Sequence, residues 1–253
     1  MEKIIWVAGM PRSGSMWTFN VLKDALAAMG YNVLPKHVPK TNDETVQIAR
    51  DVALADPNPK NVYVFKTHIY LNPDIPRSYF LTTIRDVRDA LISWMRFMNS
   101  DFEIALSAAE GMTRNCDHYL SFPEERHGRI NYRDIVERPE ATMKKICQWL
   151  SLDIRDESIS DIVKAHDKNS VAKRIKEKEK NYNEKRAKGE ASGNIETVAG
   201  YNDSVRLYDN ETGFQSGHVT DYQDGDWASI LTPEQIKAMN ERLSPWLERN
   251  GFL

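Results

Sequence analysis

Two cysteines in 253 residues leave little material for a covalent or metal framework. Cys116 and Cys147 lack the close spacing of zinc ligands and read as buried thiols in a reducing compartment. No apolar run reaches membrane-spanning length, and Met1-Glu2-Lys3-Ile4-Ile5-Trp6-Val7 leads directly into a strand rather than a signal peptide. These absences predict a cytoplasmic protein with no membrane span. Excess positive charge is missing too. With 34 Lys and Arg against 37 Asp and Glu, the formal net charge of -3 gives no sign of a general nucleic-acid binder. What is there, 41% hydrophobic and 28% charged residues, is ordinary for a globular chain. With no internal repeat and no composition break, one α/β domain over residues 1–253 is the expectation.

A further absence is more pointed. Ile4 to Ala8 is an unbroken apolar run, the pattern of a parallel strand buried on both faces. It runs into Gly9-Met10-Pro11-Arg12-Ser13-Gly14-Ser15-Met16-Trp17, and from Trp17 to Met29 apolar residues recur at helical spacing until Gly30. A strand, a glycine-bearing turn and a helix N-terminus make a site for an anion held on backbone N–H groups. The loop has no lysine, which an NTP-binding P-loop requires. The reading therefore moves from ATP or GTP to another phosphate-bearing donor.

Further along, Tyr31 to Leu34, Val62 to Phe65, Tyr79 to Ile84 and Ile130 to Tyr132 read as strands. Helices are predicted over Asp43 to Ala55, Asp86 to Met98, Phe102 to about Tyr119, Pro139 to Leu150 and Asp156 to Ala165. In the second of these, Val87, Leu91, Trp94 and Met98 are expected to face inward. Lys173 to Glu190 holds eight Lys or Arg against four Glu, and Gly189, Gly193 and Gly200 follow. The stretch of about 168–205 is either a solvated helix or flexible flap, or a basic lid over an anionic site. Leu207 to Trp227 is polar and expected to be irregular. Thr232-Pro233-Glu234-Gln235 then carries the spacing of a capping box at the start of a C-terminal helix.

Three groups of side chains carry chemistry. In the loop, backbone donors from Ser13 to Trp17 can wrap a phosphate, Arg12 adds fixed charge and Ser15 a hydroxyl, with a plain tight turn as the competing account. Trp17 either stacks on a base or belongs to the core. Second, Arg85 ends a strand and Ser93 stands about two helical turns beyond, so that both can meet one further phosphate. Asp86 and Asp89 read as complements to the helix dipole. Third, Lys66 and His68 close another strand on a shared face. The histidine can accept a proton from an attacking hydroxyl and the lysine can offset charge on a leaving group, unless His68 is only a strand-end ring bonded to backbone. No histidine spacing suggests a metal centre.

Assembled in this order, the chain resembles the sulfotransferases that use 3'-phosphoadenosine-5'-phosphosulfate (PAPS). Pro11-Arg12-Ser13-Gly14-Ser15-Met16-Trp17 is similar to that family's 5'-phosphosulfate loop, with Arg12 in place of the usual lysine. Ile84-Arg85-Asp86-Val87-Arg88-Asp89-Ala90-Leu91-Ile92-Ser93-Trp94 is similar to its 3'-phosphate motif. Phe65-Lys66-Thr67-His68 resembles the segment bearing the catalytic histidine of cytosolic members, and Asn131-Tyr132-Arg133-Asp134 a stretch whose tyrosine lies near adenine. A weaker echo spans Phe214-Gln215-Ser216-Gly217 and, later, Gly225-Asp226-Trp227. There Gln215 and Ser216 stand where the family has basic residues, which leaves Arg85, His218 or the basic flap to supply charge. Met16 replaces a hydroxyl residue.

The resemblance implies a P-loop NTPase-like three-layer α/β/α fold with a central parallel sheet. It implies PAPS as donor, 3',5'-adenosine bisphosphate (PAP) as product, no required metal, and in-line sulfuryl transfer to a hydroxyl or amine of a small molecule. His68 is then the base, with Lys66 and Arg12 at the leaving phosphate. Arg12, Ser13, Gly14, Ser15, Met16, Trp17, Arg85, Ser93, Tyr132, Phe214, Gln215, Ser216, Gly217 and His218 form the expected donor site. Met95, Phe97, Met98, Phe102 and the segment after Tyr201 are candidates for an apolar acceptor pocket suited to an aromatic or lipophilic alcohol, or else core. A small-molecule kinase and a catalytically silent nucleotide-binding protein remain the alternatives.

Overall fold

Segments of three to seven residues, too short for stable helices, build the sheet. The computed structural model describes residues 4–55, 58–70, 75–190, 193–199 and 205–253. Strands β1 (Ile4–Ala8), β2 (Asn32–Leu34), β3 (Asn61–Thr67), β4 (Ser78–Ile84) and β5 (His127–Asn131) lie in the order β2-β3-β1-β4-β5. Every neighbouring pair is parallel. Both faces are covered, which explains why β1 reads as continuous apolar sequence. Ile5 and Val7 join a core with α1 (Ser15–Ala28), α6 (Pro139–Trp149) and α7 (Asp156–Ala165). Ile4, Trp6 and Ala8 face α2 (Asn42–Ala55) and Tyr119 of α4 (Phe102–Leu120). The result is a three-layer α/β/α arrangement.

Trp6 is fully buried between Phe65 and Phe80, with ring centroids at 4.9 and 6.4 Å. Its indole N–H would be stranded there, and Ser78 Oγ accepts it at 3.1 Å. A third cluster joins α3 (Val87–Met98), α4 and α10 (Pro233–Asn250), the last opened by the expected capping box of Thr232 and Gln235. Cys116 and Cys147 are free and buried, and burial pushes their thiols up to about 12 and about 11. Among the described residues no helix is long and apolar enough to cross a membrane.

Several boundaries depart from expectation. The strand expected over Ile130 to Tyr132 begins three residues earlier, and Tyr132 instead opens α5 (Tyr132–Glu137). Its polar residues, His127 and Arg129, concealed an edge strand that needs only one buried face. In α3 the buried residues are Val87, Asp89, Ala90, Leu91, Ile92 and Ser93, while Trp94 and Met98 are only half-buried. Val87, Leu91 and Trp94 do face the core as expected and Met98 does not join it, while the first half of the helix buries more than that one stripe. The basic stretch forms α8 (Lys168–Ala187), with Val171 as its buried residue, followed by a hairpin of β6 (Ile195–Ala199) and β7 (Val205–Asp209). Regular structure thus extends into a region expected to be irregular from Leu207 onward. Gly200 and Tyr201 lie outside the described residues. Short α9 (Trp227–Ile230) precedes α10.

The loop after β1 is clamped on both sides. Gly9 N–H reaches Thr67 O at 3.3 Å, and Met10 N–H reaches Thr83 O at 3.0 Å. A Cβ on Gly9 would lie 2.1 Å from Thr83 Oγ1 and within 2.8 Å of Thr83 backbone atoms. Gly9→Ala is therefore expected to cost about 2 to 3 kcal/mol, read as a fall of several degrees in Tm; an unchanged Tm would contradict this packing.

Candidate active site

The carboxyl ends of β1, β3 and β4 release Gly9, His68 and Arg85 at one edge of the sheet, where ligands of open α/β sheets bind. Gly14 caps α1 with φ 87°, a conformation that favours glycine, and a Cβ there would also push on Ile135 Cδ1 at 2.6 Å. No side chain caps α1 and no acidic residue sits in its first turn. Its N–H groups are left for another acceptor. Ser13 does not join that set with its hydroxyl. It is buried, bonded to Met10 O at 2.5 Å and to Thr83 Oγ1 at 2.7 Å, and fixes the turn. Ser15 is buried at the helix start, Met16 is half-buried beside it, and Trp17 packs against the α1 core, the reading that competed with base stacking.

Arg12 holds the left-handed conformation, φ 65°, rare for a residue with a side chain. Three bonds keep it there. Its Nε donates to Ser93 Oγ at 3.0 Å, its Nη2 to His218 O at 2.9 Å, and its carbonyl accepts Arg85 Nη1 at 2.9 Å. Arg12, Arg85 and Ser93, distant in sequence, are thus one hydrogen-bonded unit. Burial, with Arg85 nearby, lowers Arg12 to about 10, which leaves it charged at neutral pH.

Arg85 is 6% exposed, lies 4.2 Å from the Tyr132 ring centroid and 5.5 Å from that of Tyr222, and pairs with Asp224 through Nε and Nη2. Sequence reasoning missed this pair. Asp224 is carried by a loop whose tether, Asp89, was expected to be a dipole complement. Asp89 instead is buried and accepts Tyr222 O–H at 2.5 Å and Gly225 N–H at 2.8 Å. Asp86 does behave as expected, accepting Arg88 N–H at 2.9 Å as the cap of α3.

His68 and Lys66 share a face as predicted, with Lys66 Nζ 2.9 Å from His68 Nε2. His68 Nδ1 lies 2.6 Å from Gly9 O. A carbonyl only accepts, so Nδ1 carries the proton and Nε2 the lone pair. Burial and the lysine charge push His68 down to about 3, and burial beside Arg12 lowers Lys66 to about 8. The ring is bonded to backbone, and that same bond aims its basic nitrogen toward the cations.

Phe214 to His218 close the opposite side. Tyr208 of β7 bridges Gln215, Ser216 Oγ accepts Leu207 N–H at 3.0 Å, and Gly217 turns with φ 77°. The His218 ring lies nearly parallel to Phe97 at 5.0 Å, and its Nδ1 accepts Gln215 N–H at 2.7 Å. Burial and the surrounding cations hold it well below the usual histidine range. Phe214 meets the same ring edge-on at 6.0 Å. Of the acceptor candidates, Phe97 belongs to this site, whereas Met95 and Phe102 pack in the helical core. Helix α8 meets the hairpin, Lys178 pairing with Asp209. Between them is a shallow cleft with Ile175, Ile195, Leu207 and Phe214 in its lining. Among the described residues no cluster of His, Cys, Asp or Glu could hold a metal ion.

A mouse sulfotransferase, SULT7A1, solved in complex with PAP shares this fold with a TM-score of 0.64, over 98% of this chain and 84% of that one, at 14% identity. Retinol dehydratase, solved with retinol and PAP, shares it at 0.59 over 97% and 81%, also at 14% identity. The same enzyme solved with androsterone and inactive cofactor PAP gives 0.57 over 97% and 80%, at 14% identity. No curated protein matches the sequence. The class defined by fold and site is a three-layer α/β/α protein whose first strand runs through a glycine turn into an uncapped helix. Residues 54–156, which include Lys66, His68, Arg85, Ser93 and Tyr132, match the model of the sulfotransferase family. That match falls on the stretch carrying three of the motifs on which the sequence resembles PAPS-dependent sulfotransferases.

Proposed function

We propose that the protein moves a sulfuryl group from PAPS to a hydroxyl of a small lipophilic molecule. One observation carries the reading: Arg12, Lys66, His68, Arg85 and Ser93 meet at one sheet edge, and the bonds of Arg12 and Lys66 go to neutral acceptors. A cationic site without its own carboxylates at Arg12 and Lys66 fits an anionic donor. PAPS supplies, when bound, a sulfuryl group already activated as the ester of a phosphate. The strand order and the loop after β1 also support the finer P-loop-like description, without the lysine and metal of the nucleotide hydrolases.

In this reading the N-terminus of α1 and Arg12 hold the 5'-phosphosulfate, and Arg85 with Ser93 holds the 3'-phosphate, displacing Asp224 from the guanidinium edge. Tyr132, whose ring covers Arg85, borders the adenosine. His68 Nε2 accepts the acceptor's proton as the acceptor oxygen bonds to sulfur and the sulfur–oxygen bond to phosphate breaks. Arg12 and Lys66 neutralise the charge that appears on that phosphate oxygen. An anion beside Lys66 and His68 raises both pKa values, so the ring becomes a stronger base in the loaded site than in the free protein. Phe97 and Phe214 give the acceptor an apolar wall, consistent with retinol and androsterone in the structurally similar enzyme. The two unpaired thiols accord with a cytoplasmic setting.

The deciding measurement is a mass-resolved screen of phenols, alcohols and amines with PAPS, beside titration with PAP and with ATP plus Mg²⁺. A product heavier by one sulfuryl group, with PAP bound in preference, is expected. Preference for ATP with Mg²⁺ would move the reading to a kinase, and PAP binding without any product would leave a silent binding protein.

A further inference from the structure

The ladder between β1 and β3 ends at the pair Ala8–Thr67, so His68 and Ile69 lie just beyond the sheet. Carbonyls there need donors from elsewhere, and helix α4 supplies them. Asn115 Nδ2 donates to His68 O at 2.9 Å, and Tyr119 Oη donates to Ile69 O at 2.6 Å. The two side chains stand one turn apart, so a single face of the helix meets two consecutive carbonyls. Tyr70 continues the contact, its ring centroid 4.1 Å from that of His118. The helix is itself held from two sides. Met112 and Cys116 pack in the cluster with α3 and α10, and Tyr119 packs with the other, its ring 5.6 Å from Phe80 of β4.

Asn115 is half-buried, with Met112, Cys116 and Tyr119 buried around it on the same helix. Packing alone would favour an apolar side chain there, because a half-buried amide must find partners. Its partner belongs to the residue that carries the base. Nδ1 of the His68 ring is tied to Gly9 O at 2.6 Å, but that bond fixes the ring only while the backbone bearing it keeps its place. The direction of Nε2 therefore depends on two anchors, the end of β1 for the ring and α4 for the peptide. We propose that Asn115 is a positioning residue for sulfuryl transfer, holding through His68 O the peptide from which the ring projects and so keeping Nε2 on the acceptor's hydroxyl. This rests on the proposed role of His68 as the base.

The competing account is structural: Asn115 merely ties α4 to the strand end, and its loss lowers Tm without any effect that depends on His68. Asn115→Ala and Asn115→Gln, which keeps an amide donor, are measured alone and combined with His68→Ala. Asn115→Ala is expected to lower kcat about 10- to 100-fold with PAP affinity within about twofold of wild type, and Asn115→Gln to recover part of the loss. Added to His68→Ala, the same substitution should change kcat by less than about twofold, since an effect exerted through the ring vanishes with the ring. An undiminished loss in that background overturns the inference, as does a normal kcat in folded Asn115→Ala. A second readout needs no donor. Heteronuclear spectra of the imidazole nitrogens show which one carries the proton. Wild type should show Nδ1–H alone and Asn115→Ala a mixture of both tautomers; an unchanged His68 spectrum overturns the inference. If Asn115→Ala does not fold, Asn115→Leu, similar in volume and without the donor, is taken through the same measurements. Failure of the parent reading shows separately, as wild-type protein that forms no sulfated product or a His68→Ala enzyme of normal turnover.

Discussion

Replacing His68 with alanine is expected to lower kcat by about 10²- to 10⁴-fold while leaving PAP affinity within about threefold of wild type. The asymmetry follows from the bonds. His68 Nδ1 is committed to Gly9 O, so Nε2 is the one nitrogen able to take a proton, and it faces Lys66 rather than the α1 loop. Removing the ring deletes the base but none of Arg12, Arg85 or Ser93. Because the ring titrates at about 3 and Lys66 at about 8 in the free protein, kcat/KM for PAPS should show no limb near pH 6.5. It should fall as pH rises through about 8. Lysine is charged below its pKa and neutral above it, so attraction for the donor is lost on the alkaline side. A rate that climbs through pH 8, or a His68→Ala enzyme of normal turnover, would remove His68 and Lys66 from these roles.

Arg12→Ala is expected to reduce kcat/KM for PAPS by about 10³-fold, through both terms: weaker PAP binding and slower turnover. The Arg12 side chain joins the loop to Ser93 and to His218 O, and so steadies the backbone whose carbonyl, kept in the alanine variant, seats Arg85. Its loss removes charge at the leaving phosphate and loosens the 3'-phosphate side together. Arg12→Lys restores charge but cannot span Ser93 and His218 at once, so it should recover turnover more than affinity. Steady-state kinetics with PAP titration on both variants reads this split. Equal effects of Lys and Ala would mean that the guanidinium acts by shape alone.

Much of the site was legible because it is local. Strand, glycine turn and helix N-terminus are adjacent in the chain, and Arg85 and Ser93 are close in sequence, one just before α3 and the other within it. Lys66 and His68 sit on a strand end, where alternation places them on one face. Asp224 and Asn115 were not legible, because their partners are 139 and 47 residues away and nothing in their own neighbourhood marks them. Asp89 was misread for the same reason. At the third position of a helix an aspartate looks like a dipole complement, and only the returning loop gives it Tyr222 and Gly225.

By itself, then, the chain determined the order and kind of its core elements and the lysine-free glycine turn between the first strand and the first helix. These depend on backbone sterics and on apolar periodicity within a few residues. The tertiary structure decided which polar groups meet: Arg12 with Ser93 and His218, Arg85 with Asp224, and Asn115 with His68. Electrostatics and desolvation act through space, and the parallel sheet brings strand ends that are far apart in sequence to one edge.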